Sequence, residues 1–265
     1  MTMRTLYQGL RGDDVRAWKN FLVGIDPSSD IIVDDEFDSS TTVATKKFQI
    51  SVGIKSDGVA GRLTLAKAML IGFNPSIDDR DSEESDNWPA QPTSIVQMTP
   101  QERMSSFGQF AYIPSPAKGN AEAITITDGW VLSNIDSVNI PQLSGVVGAP
   151  KTCNVLIHTK VASQLQSVFA AWESAGLLSN VLTWGGSWVP RFIRGSRTTL
   201  SNHAWGTAFD INVQWNMLGS QPALKGNKGS VRELVDIAVE HGWFWGGWFK
   251  GRRDGMHFEA YKIVT

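Results

Sequence analysis

The chain has 265 residues, 42% of them hydrophobic and 19% charged, which is enough apolar mass for two domains with cores of their own. With a net charge of -2, nothing at whole-chain level argues for a nucleic-acid or membrane-surface partner. The single cysteine, Cys153, excludes an intramolecular disulfide framework and a zinc site built from several thiolates, and with four histidines a transition-metal site must combine His with carboxylates.

The opening MTMRTLYQGLRGDD lacks an apolar run of signal-peptide type, and no later stretch approaches about 18 apolar residues. The expectation is synthesis in a cytoplasm without self-export, so a role outside it needs another protein to open the way. Residues 12–23 place Val15, Trp18, Phe21 and Leu22 at helical spacing, with Asp13 or Asp14 available as N-cap. A second helix is predicted after Thr41, with Val43, Ala44 and Phe48 on one face, and a third after Thr64, with Leu65, Ala68 and Met69. Asp34–Thr41 and Asp57–Thr64 echo one another, each with an Asp seven residues before a Thr whose hydroxyl is expected to cap the next helix. Residues 1–74 thus read as a small all-α three-helix bundle, and having no His or Cys they offer no catalytic residue.

This segment resembles the peptidoglycan-binding domain that many cell-wall hydrolases carry at one end. GDDVRAWKNFL, FDSSTTVATKKFQ and GIKSDGVAGRLT carry the resemblance, over about residues 6–73. Asp35 and Asp38 stand where the family usually has Gly, while the second copy keeps Gly58 and Gly61. Asp tolerates left-handed backbone better than most residues, so the fold is expected to survive.

Residues 75–100 hold six acidic side chains (Asp78, Asp79, Asp81, Glu83, Glu84, Asp86) against Arg80 alone, with Pro75, Pro89 and Pro92 as punctuation. Such a stretch repels itself and reads as a solvated linker.

From 101 to 265 the pattern mixes types. Residues 123–135, 154–158, 208–212 and 256–264 read as strands, and 160–176 and 230–242 as amphipathic helices, the latter with Ser230 as N-cap and Glu233 completing a capping box. Without regular βαβ alternation this predicts an α+β domain, a mainly antiparallel sheet flanked by helices.

The chemistry concentrates in two stretches of this segment. In Ser201-Asn202-His203-Ala204-Trp205-Gly206-Thr207-Ala208-Phe209-Asp210, a turn at Gly206 lets His203 fold back towards Asp210, while Phe209 points into a core. In Asp254-Gly255-Met256-His257-Phe258-Glu259, His257 and Glu259 share a strand face and Asp254 precedes them in a turn. Two His and one carboxylate suffice for a catalytic zinc that keeps a position open.

SNHAWGTAFD and DGMHFE resemble the paired signatures of the zinc D-alanyl-D-alanine carboxypeptidase and L-alanyl-D-glutamate endopeptidase family, which cleaves peptidoglycan stem peptides. With the flanking RFIRGSRTTL and HGWFWGGWF the likeness covers about residues 101–261. It implies that His203, Asp210 and His257 bind Zn2+ and that Asp254 is the general base. Arg191 sits where the family carries an arginine that holds a substrate carboxylate, with Arg194 and Arg197 competing for the task. Ser201 is expected to support the site by hydrogen bonding, and Glu259 to partner a ligand or simply to belong to the strand. His158 matches neither signature and is expected to pack in its strand, and His241 to sit at a helix C-terminus. Most of the tryptophans that crowd residues 130–248 are expected in the core.

Together these resemblances imply a wall-binding module, a linker and a zinc peptidase, of the kind made by phages to lyse their hosts. The expected partners are peptidoglycan and a holin that releases the protein from the host cytoplasm. A monomer without stable membrane association is expected. Several phage endopeptidases of the family carry Asp where carboxypeptidases often carry Glu, so Asp254 implies cleavage between L-Ala and D-Glu. A D,D-carboxypeptidase, or a wall-binding protein with a vestigial metal site, are the alternatives.

Overall fold

A computed structural model describes residues 4–26, 29–73, 87–250 and 252–264. The N-terminal part is helical: α1 (Asp13–Ile25), α2 (Ser39–Ser51) and α3 (Arg62–Leu70). Their shared core centres on Trp18, which lies 5.3 Å from Phe21 and Phe73 and 5.7 Å from Phe48 and donates its indole N–H to Thr45 Oγ1 at 2.9 Å. Buried Lys19 reaches Asp34 (2.9 Å), Asp38 (3.2 Å) and the Glu36 carbonyl (2.7 Å), so its charge is compensated where it enters the core.

The helix starts differ from the expected ones. Gly12, not Asp13 or Asp14, is the N-cap of α1, and both aspartates lie in the first turn, where the helix dipole favours them. Asp38 caps α2, its carboxylate accepting the Thr41 amide at 2.7 Å, so Thr41 lies inside the helix instead of capping it. Gly61 precedes α3 with no side-chain cap, and Thr64 also falls inside. Val43 and Met69 face outward.

The acidic residues of the expected linker lie outside the described residues. From Asn87 onward the chain packs on the C-terminal domain, and Trp88 joins that domain's core. Helix α4 (Pro100–Phe107) opens with a full capping box between Thr99 and Glu102. There follow β1 (Tyr112–Pro114), β2 (Ile124–Ile126), α5 (Trp130–Asn134), β3 (Ile135–Asn139) and β4 (Asn154–His158). Next come α6 (Ala162–Ser174), β5 (Trp184–Gly186), β6 (Ala208–Ile211), α7 (Val235–Glu240), β7 (Trp243–Trp245) and β8 (His257–Ala260). All pairings are antiparallel: β1 with β2, β3 with β4, and a four-stranded sheet in the order β5-β6-β8-β7. The domain is α+β, as expected.

Three of its elements are shorter than predicted. Residues 123–135 divide into β2 and α5, because the Asp128 carboxylate accepts the Trp130 amide at 3.1 Å and turns the chain after β2. Ser230 donates to Glu233 at 2.6 Å and a 3-10 turn (Arg232–Leu234) intervenes, so α7 begins only at Val235. Strand β8 stops at Ala260.

The face of the four-stranded sheet away from the site is aromatic. Phe209 and Phe258 stack at 5.4 Å, with Trp184 and Trp243 at 5.9 and 4.9 Å from Phe209. These contacts fix β6 and β8 in register, Asp210 opposite His257. The segment after β6 reaches the other domain: Met217 enters the core around Trp18.

Candidate functional site

His203 sits in a 3-10 turn (Asn202–Trp205) that ends at Gly206, whose φ of 66° is left-handed. A side chain there would meet the His158 amide at 2.9 Å and Ile135 at 2.8 Å, so the turn needs glycine. Ser201 opens the turn and accepts the His203 amide at 3.4 Å, a supporting contact of the kind expected. The turn folds the imidazole over β6. As a result His203 Nε2, Asp210 Oδ1 and His257 Nδ1 lie within 3.0–3.2 Å of one another.

The far nitrogens of both rings face groups that only accept. His203 Nδ1 donates to the Ser187 carbonyl at 2.6 Å, and His257 Nε2 donates to Glu259 Oε2 at 3.0 Å. Each ring therefore carries a proton on its far side and turns its near nitrogen, the one a cation would draw on as a donor, towards Asp210. Donor spacings near 3 Å approach the edge of about 3.3 Å for a tetrahedron of 2.0–2.1 Å zinc bonds. Three buried or half-buried donors with outer partners in place fit a divalent cation, and His203, Asp210 and His257 would hold it.

Electrostatics agree. Burial disfavours the Asp210 anion, yet hydrogen bonds and charge from His203 and His257 hold its carboxyl well below the usual range. Burial also opposes a charged His257, but its hydrogen bonds to Asp210 and Glu259 raise it to about 10. His203 is lowered by burial. Two buried carboxylates around two imidazoles thus make a corner that calls for positive charge.

Glu259 is a partner of a candidate ligand, one of the two readings open from sequence. Its other hydrogen bonds come from Gln97 Nε2 (3.0 Å) and Asn202 Nδ2, and the charge of Arg103 acts on it. Sequence reasoning missed Gln97, Asn202, Arg103 and Ser187, because contacts 162 residues apart, as between Gln97 and Glu259, carry no local signal.

Asp254 lies in the turn before β8, and its Oδ1 is buried with no hydrogen-bond partner among the described residues. Burial pushes its carboxyl up to about 7, Asp210 adding in the same direction and His257 and Arg191 acting against. Among the three arginines, Arg194 is engaged with Glu122 at 2.8 Å and Arg197 is exposed. Arg191 is half-buried, with no carboxylate at ion-pairing distance among the described residues. Burial and then the Arg194 charge lower its pKa, while Asp210 and Asp254 raise it, which places the guanidinium in the field of the site.

His158 is buried, as expected, with Nδ1 accepting the Lys160 amide at 3.1 Å, and His241 closes α7. Trp243, Trp245 and Trp248 are core residues. No helix among the described residues is long and apolar enough to cross a membrane.

The comparisons with known proteins agree with this geometry. No curated protein matches the chain. The family model of the D-alanyl-D-alanine carboxypeptidase matches residues 194–260, which span His203, Asp210, Asp254 and His257. A peptidoglycan binding domain model matches residues 11–68, which contain α1 and α2 and most of α3. The chain therefore carries a peptidoglycan-binding domain followed by a peptidase domain of the D-alanyl-D-alanine carboxypeptidase family.

Proposed function

We propose that this protein is a phage-type lytic peptidase that hydrolyses the L-alanyl-D-glutamate bond of peptidoglycan stem peptides. The observation that carries the reading is the convergence of His203 Nε2, Asp210 Oδ1 and His257 Nδ1 beside the buried, unpartnered Oδ1 of Asp254. His203, Asp210 and His257 would hold a zinc ion, which would supply Lewis acidity for the carbonyl and the water. Asp254, with its carboxyl near neutrality, accepts a proton from the attacking water. The hydroxyl oxygen bonds to the scissile carbonyl carbon, the C–N bond breaks, and Asp254 passes the proton to the leaving amine. Arg191 supplies a fixed positive charge for a substrate carboxylate, and D-Glu in the stem peptide carries one.

The N-terminal domain holds the enzyme on its polymer, raising the local substrate concentration with no new contact at the site. Release from the host cytoplasm through a holin lesion, and action as a monomer on the wall, complete the reading. The D,D-carboxypeptidase alternative is favoured by the description of the matching family. Mass spectrometry of digested peptidoglycan separates the two. New N-terminal D-Glu supports the endopeptidase, released D-Ala supports the carboxypeptidase, and a cut glycan strand overturns both. Chelation that leaves lysis intact would instead mark the metal site as vestigial.

A further inference from the structure

Asp254 has to be aimed by its backbone, since no partner among the described residues holds Oδ1. Its own amide donates to the Gly246 carbonyl at 2.9 Å, and both neighbours in sequence are fixed from outside the loop. Gly255 is held through its carbonyl, which accepts the Trp245 indole N–H at 2.8 Å. Arg253 is held through its carbonyl, which accepts the Gly219 amide at 2.6 Å, and through its side chain, which donates to Gln221 Oε1 and whose guanidinium carbon lies 4.3 Å above the ring of Trp88.

Trp88 itself is 5% exposed. Its ring lies 5.2 Å from that of Trp245, and a second guanidinium, Arg232, stands 4.8 Å from its ring centre. The chain around it is fastened as well. Arg232 Nη1 donates to the Asn87 carbonyl and side chain at 2.9 Å each, the Lys225 amide donates to Asn87 Oδ1 at 2.7 Å, and Trp248 Nε1 donates to the Pro89 carbonyl at 2.8 Å. A residue more than 160 positions upstream of Asp254 thus touches the supports of both its neighbours.

We infer that Trp88, at the end of the segment between the two domains, is a positioning residue for Asp254. It seats Arg253 and Trp245, and through them it fixes the backbone that aims the carboxylate. This rests on the reading of Asp254 as the general base. Trp88 meets the metal corner at one remove, through Trp245 of β7, which pairs with β8; β6 and β8 are also held by Phe209, Phe258 and their own ladder.

The test uses the full-length zinc-loaded protein and its Trp88→Leu, Trp88→Phe and Asp254→Asn variants. Trp88→Leu keeps an apolar side chain, smaller than the indole, and removes the π face that an arginine prefers. A displacement of the order of 1 Å at a reacting group costs about 100-fold, so kcat should fall about tenfold to 100-fold with KM and zinc content unchanged. Trp88→Phe should restore most of it. Hydrogen exchange should quicken at the amides of 253–256 and not in β6.

Wild-type kcat in Trp88→Leu, with Asp254→Asn inactive, overturns the positioning role and leaves the base reading standing. Near-normal turnover in Asp254→Asn removes the base reading itself, and with it the object that Trp88 would position. Loss of zinc along with kcat in Trp88→Leu also overturns the inference, since Trp88 would then support the whole domain.

Discussion

The metal corner and the base loop lie side by side, yet they are built by opposite means. Every donor in the corner has a hydrogen-bonded outer partner or a neighbour in a strand ladder, and the rings sit on regular structure backed by stacked phenylalanines. The loop has two backbone hydrogen bonds at Asp254, a carboxylate oxygen with no partner among the described residues, and supports brought from distant parts of the chain. A corner of charged groups needs satisfied partners to exist at all when buried. A base that must exchange a proton near neutrality cannot be tied down by strong donors, because each would stabilise the anion and depress its pKa. Precision in the loop therefore comes from packing of its backbone.

The sharpest way to break this comparison is Asp254→Asn. The amide preserves shape but cannot take a proton, so kcat should fall by about 10²–10⁴. Metal stoichiometry, measured by atomic absorption, should stay at the wild-type level. A variant that lost both would show the two regions to be one unit.

The contrast also decides what was legible in the sequence. His203, Asp210 and His257 were readable because a turn ending in left-handed Gly206 and two short strands bring them together within a few residues of motif. The α+β class followed from the mixture of periodicities, and the burial of Val15, Trp18, Phe21 and Leu22 from helical spacing alone. Trp88 and Gln97 were not readable. Each lies in a polar, proline-punctuated stretch whose local composition predicts a solvated spacer, and only tertiary contacts show otherwise. Helix starts were misread where Asp38 competed with Thr41, since both residue types cap well and only geometry chooses.

Glu259→Gln tests the corner in its own terms. The buried carboxylate accepts from His257 Nε2 and faces the charge of Arg103, so the amide removes a negative charge while keeping the volume. Metal affinity, read by competition with a chromophoric chelator, should weaken about tenfold to 100-fold. Unchanged affinity would mean that His257 is fixed by the sheet alone. Arg191→Ala belongs to neither region and should act on substrate: KM for a stem peptide rises about tenfold or more while metal content holds, given the strength of a charge-assisted pair. An unaltered KM would hand the clamp to Arg194 or Arg197.

The smallest effect is one of stability, and it lies behind the corner. Burial lowers His158 to about 4 from its ordinary value near 6.5, with the Phe107 carbonyl acting weakly against. The unfolded chain therefore binds a proton between those values that the folded chain refuses. Stability contributed by neutral His158 is fully present above pH 6.5 and is lost as pH falls through about 4. Its backbone amide donates to the Gly206 carbonyl at 2.9 Å, so the strand that carries His158 also supports the turn presenting His203. In urea titrations from pH 7.5 to 4.5, His158→Gln should show a shallower loss of stability with acid than the wild-type chain. Parallel slopes would mean that the acid sensitivity arises from other groups.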